Sequence, residues 1–549
     1  MISFACSASL RYALVSGILG IGTHLTLRVC EPSDPYISVL AILLEPPAIL
    51  SALSWLSPSP WTFRAVSVSY SSFIVSLVLS VIVYRLSPFH PLAKYPGPIV
   101  HKVTKLWGVY LTWSGQQHLE HKRLHDQYGP FVRTGPNELS IVDATAVPAV
   151  LGASGLPKGR YYDARQDPSA PRNLIVLRGE EHAVRRRLWN RGLSSASLKE
   201  YEVLLAARVA QLVERLQEQK GPIDVAKWLG FFSFDFMGDM AFGSGFNMLR
   251  DGADNGGLCK ALEDFMFSAA LVSHIPWASP IFKTIPSVAR GLQTLRKYGV
   301  ACATSRIKSG PKVKDLWYHL TDEAGLENEQ PAFANVVADG TVAIVAGADT
   351  VATAVMCLLF FVLSNPSIQE RLQAEVDATY LIRENPLDTS KHSSMPFLSA
   401  CICETLRLLP PVPTNGSRRV PARSGGKVIA GRFVPENTEV YVPAYSLHRD
   451  PRYFSPCPER FWPDRWLAKE LKDGFNPNAF IPFSFGPANC AGKNLARTEM
   501  MMLASVLMHT FHMRFADGFN PAGWEGQLHD HLVLTRKPLP IVFTTRDNS

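Results

Sequence analysis

The residues best placed to do chemistry lie in IPFSFGPANCAGKNLARTEMMMLASVL, residues 481–507, where an aromatic, glycine-rich loop leads through Cys490 into a helix expected to begin near Gly492. A thiol at a helix N-terminus meets the positive end of the backbone dipole and several unpaired N–H groups, which favour thiolate. A thiolate is a soft ligand for a metal. Phe483 and the turn at Gly486 can cover the sulfur, while Gly486 and Gly492 let a flat ligand approach the main chain. A flat metal macrocycle suits that arrangement. The bland alternative is an inert buried cysteine ahead of a core helix.

Three further groups accompany it. In CETLRLLPPVP, Glu404 and Arg407 are three residues apart and share a helix face, as an ordinary i,i+3 ion pair also would. Downstream, PERFWPDRW offers Arg460 and Arg465. In VAIVAGADTVATAV, the small residues Ala343, Ala346, Gly347 and Ala348 precede Asp349 and Thr350 in an apolar run. Glycine inside a helix costs about 1 kcal/mol against alanine, and close approach of a ligand would offset that. Small residues for helix packing are the competing explanation. In GEEHAVRRRLWNRGLSS, Arg185, Arg186, Arg187 and Arg191 cluster on one helix, a pattern shared with any solvated basic face.

In this order along the chain, these motifs resemble those of the cytochrome P450 haem-thiolate monooxygenases, fungal membrane-anchored members especially. Phe483, Gly486, Cys490 and Gly492 match F-x-x-G-x-R-x-C-x-G, with Ala488 where the family carries arginine or histidine. Ala346, Gly347, Asp349 and Thr350 match A-G-x-D-T-T, with Val351 at the second threonine. Glu404 and Arg407 match E-x-x-R, and the family completes that triad with an arginine from the later segment. Arg465 is favoured over Arg460 because it lies nearer the cysteine loop. His182 and Arg186 match W-x-x-x-R, with histidine at the tryptophan position.

The resemblance implies a cytochrome P450 fold holding haem b, with Cys490 as axial ligand and His182 and Arg186 donating to a haem propionate. The cation missing at position 488 would be replaced by Arg418, Arg419 or Lys493. The other arginines of the basic helix would face an acidic electron donor. Thr350 would hydrogen-bond dioxygen, Asp349 would deliver protons from water, and the triad would be architectural. The implied reaction is oxidation, typically hydroxylation, of a lipophilic small molecule such as a terpenoid in secondary-metabolite biosynthesis. Residues 266–277 and 412–415 are the expected pocket walls. No G-x-G-x-x-G fingerprint accompanies these motifs, so electrons must come from a partner, an NADPH-cytochrome P450 reductase. A haem-thiolate isomerase would need neither Asp349 nor Thr350, and a membrane scaffold or haem carrier would need no oxygen-activating threonine.

The elements that must position these residues are mainly α with a minor β-sheet. Helices are expected over 182–193, 332–364 and 396–409, and residues 428–429 with 439–442 are expected to form a hairpin around the turn-like PENT. Residues 99–549 form the expected catalytic domain. Residues 1–87 form the expected membrane-anchoring region: 65–84 is uncharged and long enough to span, while 12–27 and 37–56 are possible spans, the latter interrupted by Glu45, Pro46 and Pro47. Between them, four prolines in 88–98 predict a stiff extended hinge. Contact with membrane lipid follows, with the endoplasmic reticulum as expected location and the catalytic domain facing the cytosol.

Composition agrees with this reading. The 549 residues are 47% hydrophobic and 19% charged, which excludes disordered and fibrous classes. A net charge of +8 without a basic tract suits an acidic partner or anionic lipid and gives no reason to expect nucleic acid. Nine cysteines are too sparse for a secreted disulfide framework, which points to a reducing compartment.

Overall fold

Three apolar segments open the chain as helices in the computed structural model, which describes residues 2–29, 35–56, 62–166, 170–282, 284–310, 313–381, 384–467 and 474–546. They are α1 (Ile2–Val29), α2 (Pro35–Leu56) and α3 (Phe63–Leu86). The Thr62 hydroxyl caps α3 by accepting the Ala65 N–H at 3.2 Å, and the extended backbone of Ser87 ends it. Leu10–Arg28 and Phe63–Leu86 are long and apolar enough to cross a membrane.

Residues 88–98 differ from the extended connector that their prolines predict. They fold as successive turns in which the N–H groups of His90, Ala93 and Tyr95 donate to the carbonyls of Ser87, His90 and Leu92. Proline's fixed φ suits turns as well as extended chain, and burial decides between them. Leu92 and Tyr95 are each only 1% exposed, packed with Phe131 and Val434. Arg133 then donates to the Arg85 carbonyl at 3.0 Å and Arg85 to the Val103 carbonyl at 2.6 Å, which fastens the end of α3 to the body that follows.

That body is mostly helical. Its helices of eight or more residues are α4 (Leu106–Trp113), α5 (Gln117–Tyr128), α6 (Gly179–Gly192), α7 (Ser195–Glu218), α8 (Val225–Phe242), α9 (Leu258–Ser273), α10 (Pro286–Ser309), α11 (Phe333–Leu363), α12 (Pro366–Thr379), α13 (Pro396–Leu408) and α14 (Lys493–Thr510). The longest, α11, contains no proline and carries apolar residues around its whole circumference, so it is stable only when enclosed. It is buried from Val351 to Leu363 and lies against α8, itself buried almost throughout. Although α11 is long and apolar enough to span a membrane, protein covers most of it. Asp224 caps α8 and also accepts the Leu539 N–H; Gly243, at φ +69°, closes its other end.

The strands are short. β1 (Phe131–Gly135) pairs antiparallel with β2 (Glu138–Ile141), β2 pairs parallel with β7 (Glu439–Tyr441), and β7 pairs antiparallel with β4 (Arg418–Arg419). A second sheet has the order β3 (Pro222–Asp224), β11 (Pro540–Thr545), β8 (Phe511–Phe515). The hairpin expected between 428–429 and 439–442 does not form. Instead β5 (Lys427–Ile429) pairs with β6 (Arg432–Val434) across Ala430 and Gly431, whose φ values of +45° and +73° suit a two-residue hairpin turn. β7 is thereby released to the main sheet. A last small pair, β9 (Asp530–His531) and β10 (Val533–Leu534), turns at Leu532.

Candidate active site

The four residue groups singled out by sequence come from α6, α11, α13 and the loop before α14. α13 begins with Pro396 at its first turn, and its periodicity places Glu404 and Arg407 on one buried face. Arg407 donates from Nε and Nη2 to the two Glu404 carboxylate oxygens, both at 2.8 Å. Arg465 reaches the same carboxylate at 3.0 Å, as do the Trp462 backbone N–H and the Trp466 indole N–H, both at 2.9 Å. Arg460 contributes only its carbonyl, which accepts from Arg407 at 3.2 Å. Further carbonyls at His448, Phe454 and Cys457 take the remaining guanidinium N–H groups, so these buried charges are hydrogen-bonded on every side shown.

The cysteine loop is tied to itself. The Cys490 N–H donates to the Phe483 carbonyl at 2.9 Å and the Asn489 N–H to the Gly486 carbonyl at 3.1 Å. Gly486 adopts φ +71°, and a Cβ there would lie 2.2 Å from the Leu151 carbonyl oxygen. Its glycine therefore answers a close approach by the chain's own backbone, whereas a Cβ at Gly492 would meet open space. α14 starts at Lys493 with Gly492 as its cap, so Cys490 precedes the cap by two residues. Its side chain borders open space, yet it sits deep within the protein. Burial pushes its thiol above the usual range, against the lowering influence of the Gly492 N–H, Arg186 and Lys493. The lowered thiol expected from a helix start is thus corrected: desolvation outweighs a dipole that falls off within a turn.

Arg186 spends three donors locally, from Nε to Asn190 at 2.8 Å and from Nη1 and Nη2 to the Asn489 carbonyl and side chain at 2.6 and 2.8 Å. It clamps α6 to the residue before Cys490. Its neighbours on α6 also have internal partners: Arg185 pairs with Asp339 at 2.9 Å, Arg191 with Asp322 at 3.0 Å, and Arg187 with Glu327 at 3.3 Å. These contacts tie α6 to α11 and to the segment before it, and Arg187 stays exposed beside its partner.

Beside Arg186 lies a cluster of one charge sign. Burial and the charges of Lys158, Arg186 and Arg418 push His182 down to about 4. Burial and the charges of Arg418, Arg178, Arg165 and Arg186 push Lys158 down to about 7. Lys158 donates to the Leu174 carbonyl at 2.9 Å, and the Arg418 Nε is buried with no hydrogen-bond partner. Such a group is costly unless an anion completes it. Two carboxylates of a macrocycle whose metal meets Cys490 fit this donor set. Of the replacements considered for position 488, Arg418 lies in the cluster, while Arg419 faces Asn437 and Glu439. Lys158 has no motif to betray it; an isolated bridge to Arg418 places it there.

On α11, Ala346 is exposed although the turn before it, from Val342 to Val345, is buried. The Thr350 hydroxyl donates to the Ala346 carbonyl at 2.8 Å, so its oxygen lone pairs remain available as acceptors. Asp349 Oδ1 is paired with Arg536 Nη2 at 3.2 Å, a partner no motif indicates. Gly347 departs from expectation. A Cβ there would stand 2.4 Å from the Met237 sulfur and terminal methyl, so this glycine serves the packing of α11 on α8. Toward the expected pocket walls, Phe265, Met266, Ala269 and Ala270 of α9 cluster with Tyr161 and Leu532.

The sequence profile described as Cytochrome P450 matches residues 95–542 of this chain. Among curated proteins, the chain is 33% identical over 497 residues to a cytochrome P450 monooxygenase designated FCK2 from Fusarium pseudograminearum, covering 89% of this chain and 88% of that protein. It is 32% identical to the trichothecene C-15 hydroxylase of Fusarium sporotrichioides, over 86% of this chain and 96% of that one. It is 28% identical to the tryprostatin B 6-hydroxylase of Aspergillus fumigatus, over 97% and 96% respectively. With a helical body, a cysteine loop and a cationic cluster suited to haem b, and a profile match across most of its length, the chain belongs to the cytochrome P450 family of monooxygenases.

Proposed function

We propose that this protein hydroxylates or otherwise oxidises a lipophilic small molecule of secondary metabolism, using dioxygen and electrons from an NADPH-cytochrome P450 reductase. The observation that carries the reading is the juxtaposition of Cys490, bordering open space, with the unbalanced Lys158, His182, Arg186 and Arg418 cluster. Cys490 would hold the haem iron and the cluster would hold the haem propionates, His182 and Arg186 among its members. Bound haem supplies activation of dioxygen for transfer of one oxygen atom to a carbon centre.

The chain's own residues handle the protons and exclude water. Because the Thr350 proton is engaged by the Ala346 carbonyl, Thr350 Oγ1 acts as acceptor and holds a proton-bearing group beside it. Asp349, steadied through Oδ1 by Arg536, passes protons from water toward that point. Val351 is buried and leaves the work of the motif to its single threonine. Glu404, Arg407 and Arg465 hold the cysteine side of the body in place, with Phe483, Gly486 and Gly492 shaping the loop.

The apolar wall of Phe265, Met266, Ala269 and Ala270 suits a substrate with little charge. The names of the two hydroxylases above describe oxidation of fungal metabolites, a terpenoid-like lipophilic substrate being the counterpart here. Ile99, Leu106, Tyr110 and Trp113 are exposed close after α3, which supports a catalytic domain resting on the membrane of the endoplasmic reticulum from the cytosolic side.

The decisive experiment is a reduced, carbon-monoxide-bound spectrum of the full chain beside Cys490→Ala. The parent shows the red-shifted Soret band of thiolate ligation and the variant lacks it; retention of the band would remove Cys490 as ligand. With reductase, Thr350→Ala should keep its haem and divert NADPH electrons to peroxide or water. Unchanged product per NADPH would show that Thr350 has no part in the proton relay, whereas product formed without NADPH consumption would favour a haem-thiolate isomerase.

A further inference from the structure

From Ser16 with Ser69 to Arg28 with Tyr84, contacts between α1 and α3 advance along both helices. The Ala13 carbonyl accepts from Ser72 at 2.5 Å, Ser16 meets Ser69 at 2.5 Å, His24 meets Ser80 at 2.7 Å, and the Arg28 guanidinium lies 4.1 Å from the centre of the Tyr84 ring. The two helices therefore run parallel, side by side. Their axes come close, because a Cβ at Gly20 would lie 2.4 Å from the Phe73 carbonyl oxygen. α2 runs the other way: Glu45 accepts from Thr23 at 2.5 Å, the Leu43 carbonyl accepts from Tyr70 at 2.7 Å, and Leu50 clusters with Tyr12 and Ala65.

This arrangement constrains how the chain meets a bilayer. If α3 crosses, α1 beside it crosses in the same sense, and the chain must return before α3 begins. Among the described residues the element between them is α2, whose 22 residues, with Ile42–Ala52 as their apolar stretch and Pro46 and Pro47 within it, span about 33 Å at 1.5 Å each, close to the thickness of the hydrocarbon core. Glu45 sits at the middle of α2 and hence near the bilayer midplane, where an ionisable group needs a partner; Thr23 is that partner. Arg28 and Arg85 then lie at the same end of the bundle as the catalytic domain, and Arg11 and Arg64 lie toward the other end.

We infer that the N-terminal unit crosses the bilayer three times as a hydrogen-bonded bundle, with the N-terminus on the face opposite the catalytic domain. The inference rests on the proposal that this region anchors the enzyme in a membrane, and it fixes the number and sidedness of the crossings. A flexible insert carrying a site-specific protease sequence can be placed at residues 30–34 or 57–61 of the full chain, or at the N-terminus. Sealed vesicles whose catalytic domain is digested by added trypsin provide the orientation. The insert at 30–34 should be cut without detergent, whereas those at 57–61 and the N-terminus should be cut only after detergent. Protection at 30–34 would mean one crossing, and cleavage at the N-terminus without detergent would mean two; either overturns the inference. Release of the whole chain by alkaline carbonate would instead overturn the anchoring proposal itself. Independently, Ser16→Cys with Ser69→Cys should form a disulfide under mild oxidation while each single variant does not, and adding Gly20→Leu should lower its yield more than twofold. Absence of that cross-link would overturn the parallel packing.

Discussion

Two groups of cations in the catalytic body differ in how their donors are met. Around Glu404, two guanidinium groups, a backbone N–H and an indole N–H converge on one carboxylate, and carbonyls take the remaining donors. Around Lys158, the largest acting charges are positive and the Arg418 Nε has no partner. The first group is complete within the chain, which marks it as architecture. The second leaves the Arg418 Nε unmet, which is why we propose it as the anion-binding side of the site. Burial of charge alone distinguishes neither; the balance of donors and acceptors does.

The largest test of that contrast is Glu404→Ala, which strands two buried guanidinium groups. It should cost about 3–5 kcal/mol, read as a lower urea midpoint of the catalytic body, with haem incorporation lost as a consequence. Lys158→Met with Arg418→Met should act in the opposite manner. Haem-free stability should hold or rise by about 1 kcal/mol as like charges are removed, while haem occupancy per polypeptide falls about tenfold or more. A fall in haem-free stability matching that of Glu404→Ala would erase the distinction.

The pH dependence sharpens it further. Lys158 is lowered from 10.5 to about 7, so between those values the folded haem-free chain binds fewer protons than the unfolded one. Its contribution to stability is present above the unfolded value and is lost as pH falls through 10.5 toward about 7. Anion binding has the reverse preference, since it needs the charged amine. Haem retention measured by dialysis should weaken as pH rises above about 7, and Lys158→Arg should flatten that profile. The smallest effect is expected from Ala488→Arg, which should raise haem occupancy a few-fold in the Lys158→Met background and leave the parent chain unchanged, as measured by haem per polypeptide.

Where placement depends on neighbours in sequence, it could be read directly. Cys490 with its flanking glycines, Glu404 three residues before Arg407, and Asp349 beside Thr350 all sit within single elements, and the helices containing them begin and end within a few residues of their proline and glycine signals. Where it depends on what packs alongside, the reading went astray. At Gly347 the Met237 side chain of α8 comes close, a neighbour that no motif indicates. β5 found β6 through a turn at Ala430 and Gly431, because the positive φ values there outweighed the turn-like PENT that follows. The arginines of α6 found Asp339, Asp322 and Glu327, residues far along the chain.

The amino-acid order alone determined the chemistry available: a thiol ahead of a helix, a threonine beside an acid in an apolar run, an ion pair on one helix face, and spans long enough to enter a bilayer. Periodicity and backbone punctuation carry such information because they act over a turn or two of chain. Tertiary structure decided which donors are left unmet. Lys158 and Arg418 come together through a bridge between distant segments, Arg536 reaches Asp349 from beyond β10, and burial pushes the Cys490 thiol up against the Gly492 N–H, Arg186 and Lys493. Desolvation and long-range pairing depend on everything that surrounds a group, and only the folded chain supplies those surroundings.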